Sequence, residues 1–136
     1  MLKALLGSPR VDILEKAIGA STLRQKVISD NIANVNTPKF KKSEVQFEEL
    51  LAKEMSQDKL QMARTNAAHM PMQAEGIPGP RVNTITQTSY RTDGNNVDID
   101  TEMAGMAKNN IYYNAVVQQL SGYFSGLRSA IKEGKG

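Results

Sequence analysis

The segment Ser29-Asp30-Asn31-Ile32-Ala33-Asn34-Val35-Asn36-Thr37-Pro38-Lys39-Phe40 constrains the fold most, because it has to end a long helix. Asparagine tolerates the left-handed backbone with which many helices stop, and Asn31, Asn34 and Asn36 supply it repeatedly. Pro38 cannot continue a helix, and its ring pushes Thr37 toward an extended conformation. The segment therefore reads as a helix exit of sharply specified geometry. It is not a catalytic motif.

Upstream, the helix is predicted from Asp12, taken as N-cap after Pro9, to about Val35. Leu14, Ile18, Ser21, Gln25, Ile28, Ile32 and Val35 recur in steps of four and three, a coiled-coil stripe with two polar layers at its centre. The C-terminal third repeats the spacing at Met103, Met106, Asn110, Tyr113, Val117, Leu120, Phe124, Leu127 and Ile131. Asp98 and Asp100 suit the positive end of that helix, and Lys132 and Lys135 the other. Over residues 101–133 it would be about 50 Å long. Gly105, Gly122 and Gly126 each weaken it by about 1 kcal/mol relative to alanine, which a packed seam or a close neighbour must offset.

Each helix has one narrow apolar stripe, so each must bury it against the other helix or against another subunit. The predicted fold class is mainly α. Residues 1–35 and 101–136 form an antiparallel coiled-coil domain in this reading. Its inward positions are Leu14, Ile18, Ile28 and Ile32 on the first helix and Val117, Leu120, Phe124 and Leu127 on the second. Asn110 is expected in the seam, level with residues 28–35, fixing register beside the polar positions Ser21 and Gln25.

Residues 36–100 interrupt the helical pattern. Phe47, Leu50, Leu51 and Met55 mark a short amphipathic helix. Asn66, His69, Pro71 and Gly76-Ile77-Pro78-Gly79-Pro80 read as an extended loop. Val82, Thr84, Thr86, Thr88 and Tyr90 alternate as in a strand, Asp93-Gly94 marks a turn, and Val97 with Ile99 could pair back. The middle is thus either a small β-containing elaboration or a segment ordered by its neighbours, and partial disorder is the expectation.

Composition removes most alternatives. The chain of 136 residues has no cysteine, so disulfides and thiolate metal sites are excluded, and His69 has no dyad partner. Seventeen basic and fourteen acidic residues leave a net charge of +3, too little and too dispersed for a nucleic-acid groove. The Lys39, Lys41 and Lys42 cluster reads as a solvated face. Asp93-x-Asn95-x-Val97 lacks an oxygen ligand at the fifth position and glycine at the sixth, so turn and cap explain its acids better than calcium. Pro78 and Pro80 leave the glycine loop too few amides to cradle phosphate. The methionines read as core filling or loop decoration more readily than as a partner surface. No run approaches the roughly 18 apolar residues of a membrane span. Ala4–Leu6 is too short for the hydrophobic region of a secretory leader.

Asn31, Ile32, Ala33, Asn34, Thr37 and Pro38 resemble the signature of the bacterial flagellar rod and hook proteins, in which a helix runs into Asn-Ile-Ala-Asn-x-x-Thr-Pro-Gly-Tyr. Lys39 stands where that family usually has glycine, and Phe40 where it has tyrosine. The run from Asp93 to Met103, followed by Asn110, Tyr113 and Asn114, is similar to the proximal rod members. Arg64-Thr65-Asn66 with His69 is similar to them more weakly. The resemblance implies a structural subunit without enzymatic activity, cofactor or metal. Its terminal helices would assemble helically with other rod proteins and with copies of itself. Further implied neighbours are the adaptor joining rod to export gate and the surrounding membrane ring. It also implies export to the basal body without a cleavable signal peptide. The listed inward residues and Asn110 would form the assembly interface. A cytoplasmic helical adaptor or chaperone-like module is the alternative.

Overall fold

A computed structural model describes residues 8–56 and 79–133 of the chain. The elements run α1 (Pro9–Ala33), β1 (Ser43–Gln46), α2 (Glu48–Ser56), β2 (Arg81–Thr84) and α3 (Ile99–Glu133). The architecture is mainly α, as expected, with a small two-stranded sheet between the helices. Of the expected loop at residues 65–80, residues 65–78, with His69, lie outside the described residues.

The first helix begins earlier than predicted. Ser8 is its N-cap, its hydroxyl accepting from the Val11 amide at 3.4 Å, and Pro9 occupies the first turn, where a missing N–H costs nothing. Asp12 lies in that first turn and pairs with Lys16 at 3.0 Å. The third helix also starts early. Asp98 caps it, with Oδ1 accepting from the Asp100 amide at 3.1 Å and Oδ2 from the Thr101 hydroxyl at 2.8 Å. Ile99 is therefore helical and does not pair back as a strand.

The two long helices are antiparallel, because the contacts descend one helix as they climb the other. Ser8 meets Tyr123, Ser21 meets Asn109, and Asn31 meets Glu102. At 1.5 Å per residue α1 is about 37 Å long and α3 about 52 Å, so residues 124–133 extend past the level of Ser8.

The apolar centre is small. Ala17 and Ala20 let Phe47 and Val116 close on α1, with Leu14, Ile18, Leu51 and Tyr112 packed around them. Phe47 is fully buried at the junction of β1 and α2, where its carbonyl accepts from the Leu51 amide at 2.8 Å. The short helix expected around Leu50 and Leu51 is present.

Strands β1 and β2 pair antiparallel, with Ser43 opposite Thr84 and Gln46 opposite Arg81. The expected strand over 82–91 is thus shortened to four residues. The Ile85 amide still reaches the Lys42 carbonyl at 2.9 Å, but the Lys42 amide and the Ile85 carbonyl are both taken by the side chain of Asn96. A side chain ends the ladder.

The phase of α3 differs from the sequence expectation. Glu102, Asn109 and Val116 are buried toward α1, with Gly105, Tyr112 and Tyr123 half-buried in the same line. Asn110, Val117 and Phe124 are exposed, together with Met103, Tyr113 and Ile131. Leu120 and Leu127 are half-buried at the border between the two stripes. In this phase Asn109 bonds Ser21 and Gln25, Glu102 bonds Asn31, and Val116 packs with Ala17, Ala20 and Phe47. On α1, Ser21 and Ile28 are buried, and Leu14, Ile18, Gln25 and Ile32 are half-buried.

Candidate functional site: a helix-exit clasp and an exposed helical stripe

Asn31 is buried at the last turn of α1 and treats Ser43 as a strand treats its neighbour. Its Oδ1 accepts from the Ser43 amide at 3.0 Å, and its Nδ2 donates to the Ser43 carbonyl at 2.9 Å. The same Nδ2 reaches Glu102 Oε2 at 3.0 Å, so one amide joins α1, β1 and α3. Asn34 caps the helix with φ −100°, outside the left-handed region. Its Nδ2 donates back to the Asp30 carbonyl at 2.8 Å, and its Oδ1 accepts from the Thr37 hydroxyl at 3.2 Å.

The left-handed residue of the exit is Lys39, with φ 62°. Its amide donates to the Asp93 carbonyl at 3.0 Å, and Gly94, itself at φ 84°, lies against its backbone. A left-handed non-glycine residue costs about 1–2 kcal/mol. The departure from the family glycine therefore falls where glycine has a conformational advantage. The expectation of a left-handed asparagine at the helix end is replaced by a left-handed lysine five residues later.

Asn95 and Asn96 close the exit from the opposite side of the sequence, and both are completely buried. Asn95 Nδ2 lies 2.9–3.1 Å from the carbonyls of Asn34, Val35 and Thr37, while its Oδ1 accepts from the Val97 amide at 2.7 Å. Asn95 adds to donors these carbonyls already have: the Thr37 amide on Asn34 O at 3.0 Å and the Phe40 amide on Thr37 O at 3.3 Å. Asn96 Oδ1 accepts from the Lys42 amide at 2.7 Å, and its Nδ2 donates to Ile85 O and Thr88 Oγ1 at 2.8 and 3.0 Å. Arg91 adds a 3.1 Å bond to the Val35 carbonyl. Sequence reasoning placed a turn and a cap here and missed the clasp. Two adjacent asparagines beside a glycine were the available signal. Asp93 and Asp98, weighed above as cation ligands, are engaged by the Asn95 amide and by the start of α3.

Midway along the helices sits a buried polar layer. Ser21 Oγ donates to Asn109 Oδ1 at 3.0 Å, and Asn109 Nδ2 donates to the Ser21 carbonyl at 3.0 Å and to Gln25 Oε1 at 3.1 Å. Of the polar seam positions expected from sequence, Ser21 and Gln25 are brought together. Asn110 is not, and its neighbour takes the role, opposite residues 21–25 rather than 28–35.

Charge at the seam margin is locally compensated. Burial pushes the Glu48 carboxyl up, but the Arg24 hydrogen bond, its own backbone amide and the charges of Arg24 and Lys108 hold it below its usual range. The hydrogen bond to Glu44, 2.9 Å away, raises the Lys42 ammonium. Burial raises the Tyr112 phenol. Arg24, Lys42, Glu44 and Glu102 line an open groove between α1, β1 and α3, and each has a partner: Glu48 for Arg24, Lys42 and Glu44 for each other, and Asn31 for Glu102.

Exposed apolar side chains among the described residues include Met55, Val82 and Tyr90 and, on α3, Met103, Ile111, Tyr113, Val117, Phe124 and Ile131. Val117 is 38% exposed and Phe124 40%, whereas Val116 is 8% exposed. No helix among the described residues is long and apolar enough to cross a membrane.

Comparison with known proteins agrees in length and position. The family described as flagella basal body rod protein matches residues 13–41, most of α1 and its exit. The chain is 36% identical over 130 residues to the flagellar basal body rod protein FlgB of Bacillus subtilis, covering 96% of this chain and 98% of that one. It is 33% identical to FlgB of Borreliella burgdorferi, over 90% of this chain and 95% of that one. Identity to FlgB of Escherichia coli is 28%, over 88% and 91%.

Proposed function

The chain belongs to the FlgB family of flagellar basal body rod proteins, and we propose on that premise that it is a structural subunit of the rod, placed in the proximal part of the drive shaft. The observation that supports an assembling role is the uncovered stripe of α3, with Tyr113, Val117 and Phe124 at its centre. A subunit that stacks helically must keep apolar surface available for its neighbours after its own chain has folded. In this reading Val117 and Phe124, with the bordering Leu120 and Leu127, contact adjacent subunits. Leu14, Ile18, Ile28 and Ile32 hold α1 against α3 and reach the interface only at its margins. Asn110 lies on the same outward face.

The neighbours in this proposal are copies of the chain, other axial rod proteins, the adaptor at the export gate and the membrane ring. The location is extracytoplasmic, within the basal body, reached by flagellar export without cleavage of a leader. The role is mechanical, with no reaction, cofactor or metal. The exit motif contributes indirectly: Asn31 and Asn34 fix the direction in which the chain leaves α1, while Thr37 and Pro38 turn it toward β1.

The test is incorporation. Phe124→Asp is expected to leave the free chain folded, because the ring is partly exposed, and to abolish both recovery in purified basal bodies and swimming. Wild-type motility of that variant in a strain lacking the native copy would remove the outer stripe from the assembly surface. Absence of the wild-type chain from purified basal bodies would remove the rod assignment itself.

A further inference from the structure

The seam face of α3 runs on past the start of α1. Val116, Leu120, Tyr123 and Leu127 follow one another in steps of four, three and four, with Ile131 four residues later, so one face of the helix carries them all. Val116 clusters with Ala17 and Ala20 of α1, and the Tyr123 hydroxyl lies 3.4 Å from that of Ser8, the first described residue. Leu127 and Ile131 stand about 6 and 12 Å farther along the axis. No described residue of α1 is level with them, and Ile131 is 54% exposed.

We propose that α3 beyond Tyr123 is a docking surface and that its occupant is the chain's own segment 1–7, with Leu5 and Leu6 against Leu127 and Leu2 toward Ile131. Position, reach and chemistry support that occupant. The segment joins α1 at Ser8, beside Tyr123, where the surface begins. Its seven residues span about 10 Å if helical and at most about 23 Å if extended, and both lengths bring Leu5 and Leu6 to the level of Leu127. In Met-Leu-Lys-Ala-Leu-Leu-Gly, the apolar residues Leu2, Leu5 and Leu6 match an apolar face, and Lys3 is the one charged side chain. A second copy of the chain would have to compete with a segment already tethered at an effective concentration on the order of millimolar. The contact is independent of the assembly reading above. It leaves Val117 and Phe124 open to neighbours, and Leu127, on the border of the two stripes, meets the segment on its seam side.

The chain contains no cysteine, so a pair of introduced cysteines reports one contact. In the full chain at micromolar concentration, Leu5→Cys with Leu127→Cys is expected to close an intramolecular disulfide at least about tenfold faster than Leu5→Cys with Ser125→Cys. Ser125 is nearly level with Leu127 but about 160° around the helix, so tethering alone serves both pairs alike. Equal rates overturn the proposal, because they report a tether without a seat. Disulfides formed mainly between chains also overturn it and make a second copy the occupant. Hydrogen exchange supplies a readout without cysteines. Leu5→Ser with Leu6→Ser is expected to speed exchange at residues 127–131 about tenfold and to leave residues 109–116 unchanged. Unaltered exchange at 127–131 overturns the proposal, as does equal acceleration of both stretches.

Discussion

The helical seam and the exit clasp hold the molecule together by opposite means. In the seam, a handful of small and medium apolar side chains close on Phe47, with one polar layer at mid-length. In the clasp no apolar cluster exists. Asn31, Asn95 and Asn96 bind three successive stretches of backbone through their side-chain amides. Apolar packing rewards area removed from water and is nearly indifferent to which neighbouring residue supplies it. An amide placed among three carbonyls accepts no substitute of similar size. The seam is therefore tolerant in composition and ambiguous in phase, and the clasp is intolerant and unambiguous.

The largest expected effect would break the seam. Phe47→Ala removes the one fully buried aromatic ring among the described residues and should cost about 3–5 kcal/mol in denaturant unfolding, since alanines on the facing helix cannot move in to fill the space. Phe124→Ala, by contrast, should change the stability of the free chain little. Equal losses from the two variants would mean that both stripes are buried in solution.

The clasp should respond more locally. Asn95→Ala removes a donor shared by the carbonyls of Asn34, Val35 and Thr37, which keep the Thr37 amide, Arg91 and the Phe40 amide, and leaves the buried Val97 amide without its side-chain acceptor, a loss of about 1–3 kcal/mol. Hydrogen exchange at Val97 should accelerate far more than exchange within the Ser21 to Asn109 layer. Uniform acceleration across both regions would show that clasp and seam open as one unit.

The smallest effect would sharpen the comparison from the other direction. Lys39→Gly relieves a left-handed lysine and should stabilise the chain by about 1 kcal/mol, partly offset by the greater freedom of glycine in the unfolded state. The gain should appear in thermal unfolding without any change in the exchange of seam amides. A loss of stability would mean that the Lys39 side chain contributes contacts worth more than its backbone strain.

Reading outward from particular residues shows where the sequence was informative. Ser29–Phe40 announced a helix exit, and an exit is there, yet the residue that turns left-handed is Lys39 and none of the asparagines. Asparagine tolerance of that conformation is a permission; the hydrogen bonds offered by the rest of the chain decide which residue uses it. Asn95 could not be assigned as a cap for α1 because its partners lie about sixty positions earlier, and no local pattern encodes that distance. Phe47 read as the edge of a short amphipathic helix, and only the approach of Ala17, Ala20 and Val116 makes it central.

The sequence by itself determined two long amphipathic helices, a proline-marked exit between them, a short helix after it and a mainly α architecture, because helical periodicity and turn chemistry are local properties. It also pointed to the flagellar rod family through the order of residues in the exit and in the run before α3. The tertiary structure alone decided the rotation of α3, the pairing of β1 with β2 and the identity of the buried asparagines. A heptad stripe displaced by a single residue is nearly as regular as the true seam. Local periodicity does not choose between them; the choice is made where the helices meet, with Glu102 on Asn31, Asn109 on Gln25 and Val116 against Ala17, Ala20 and Phe47.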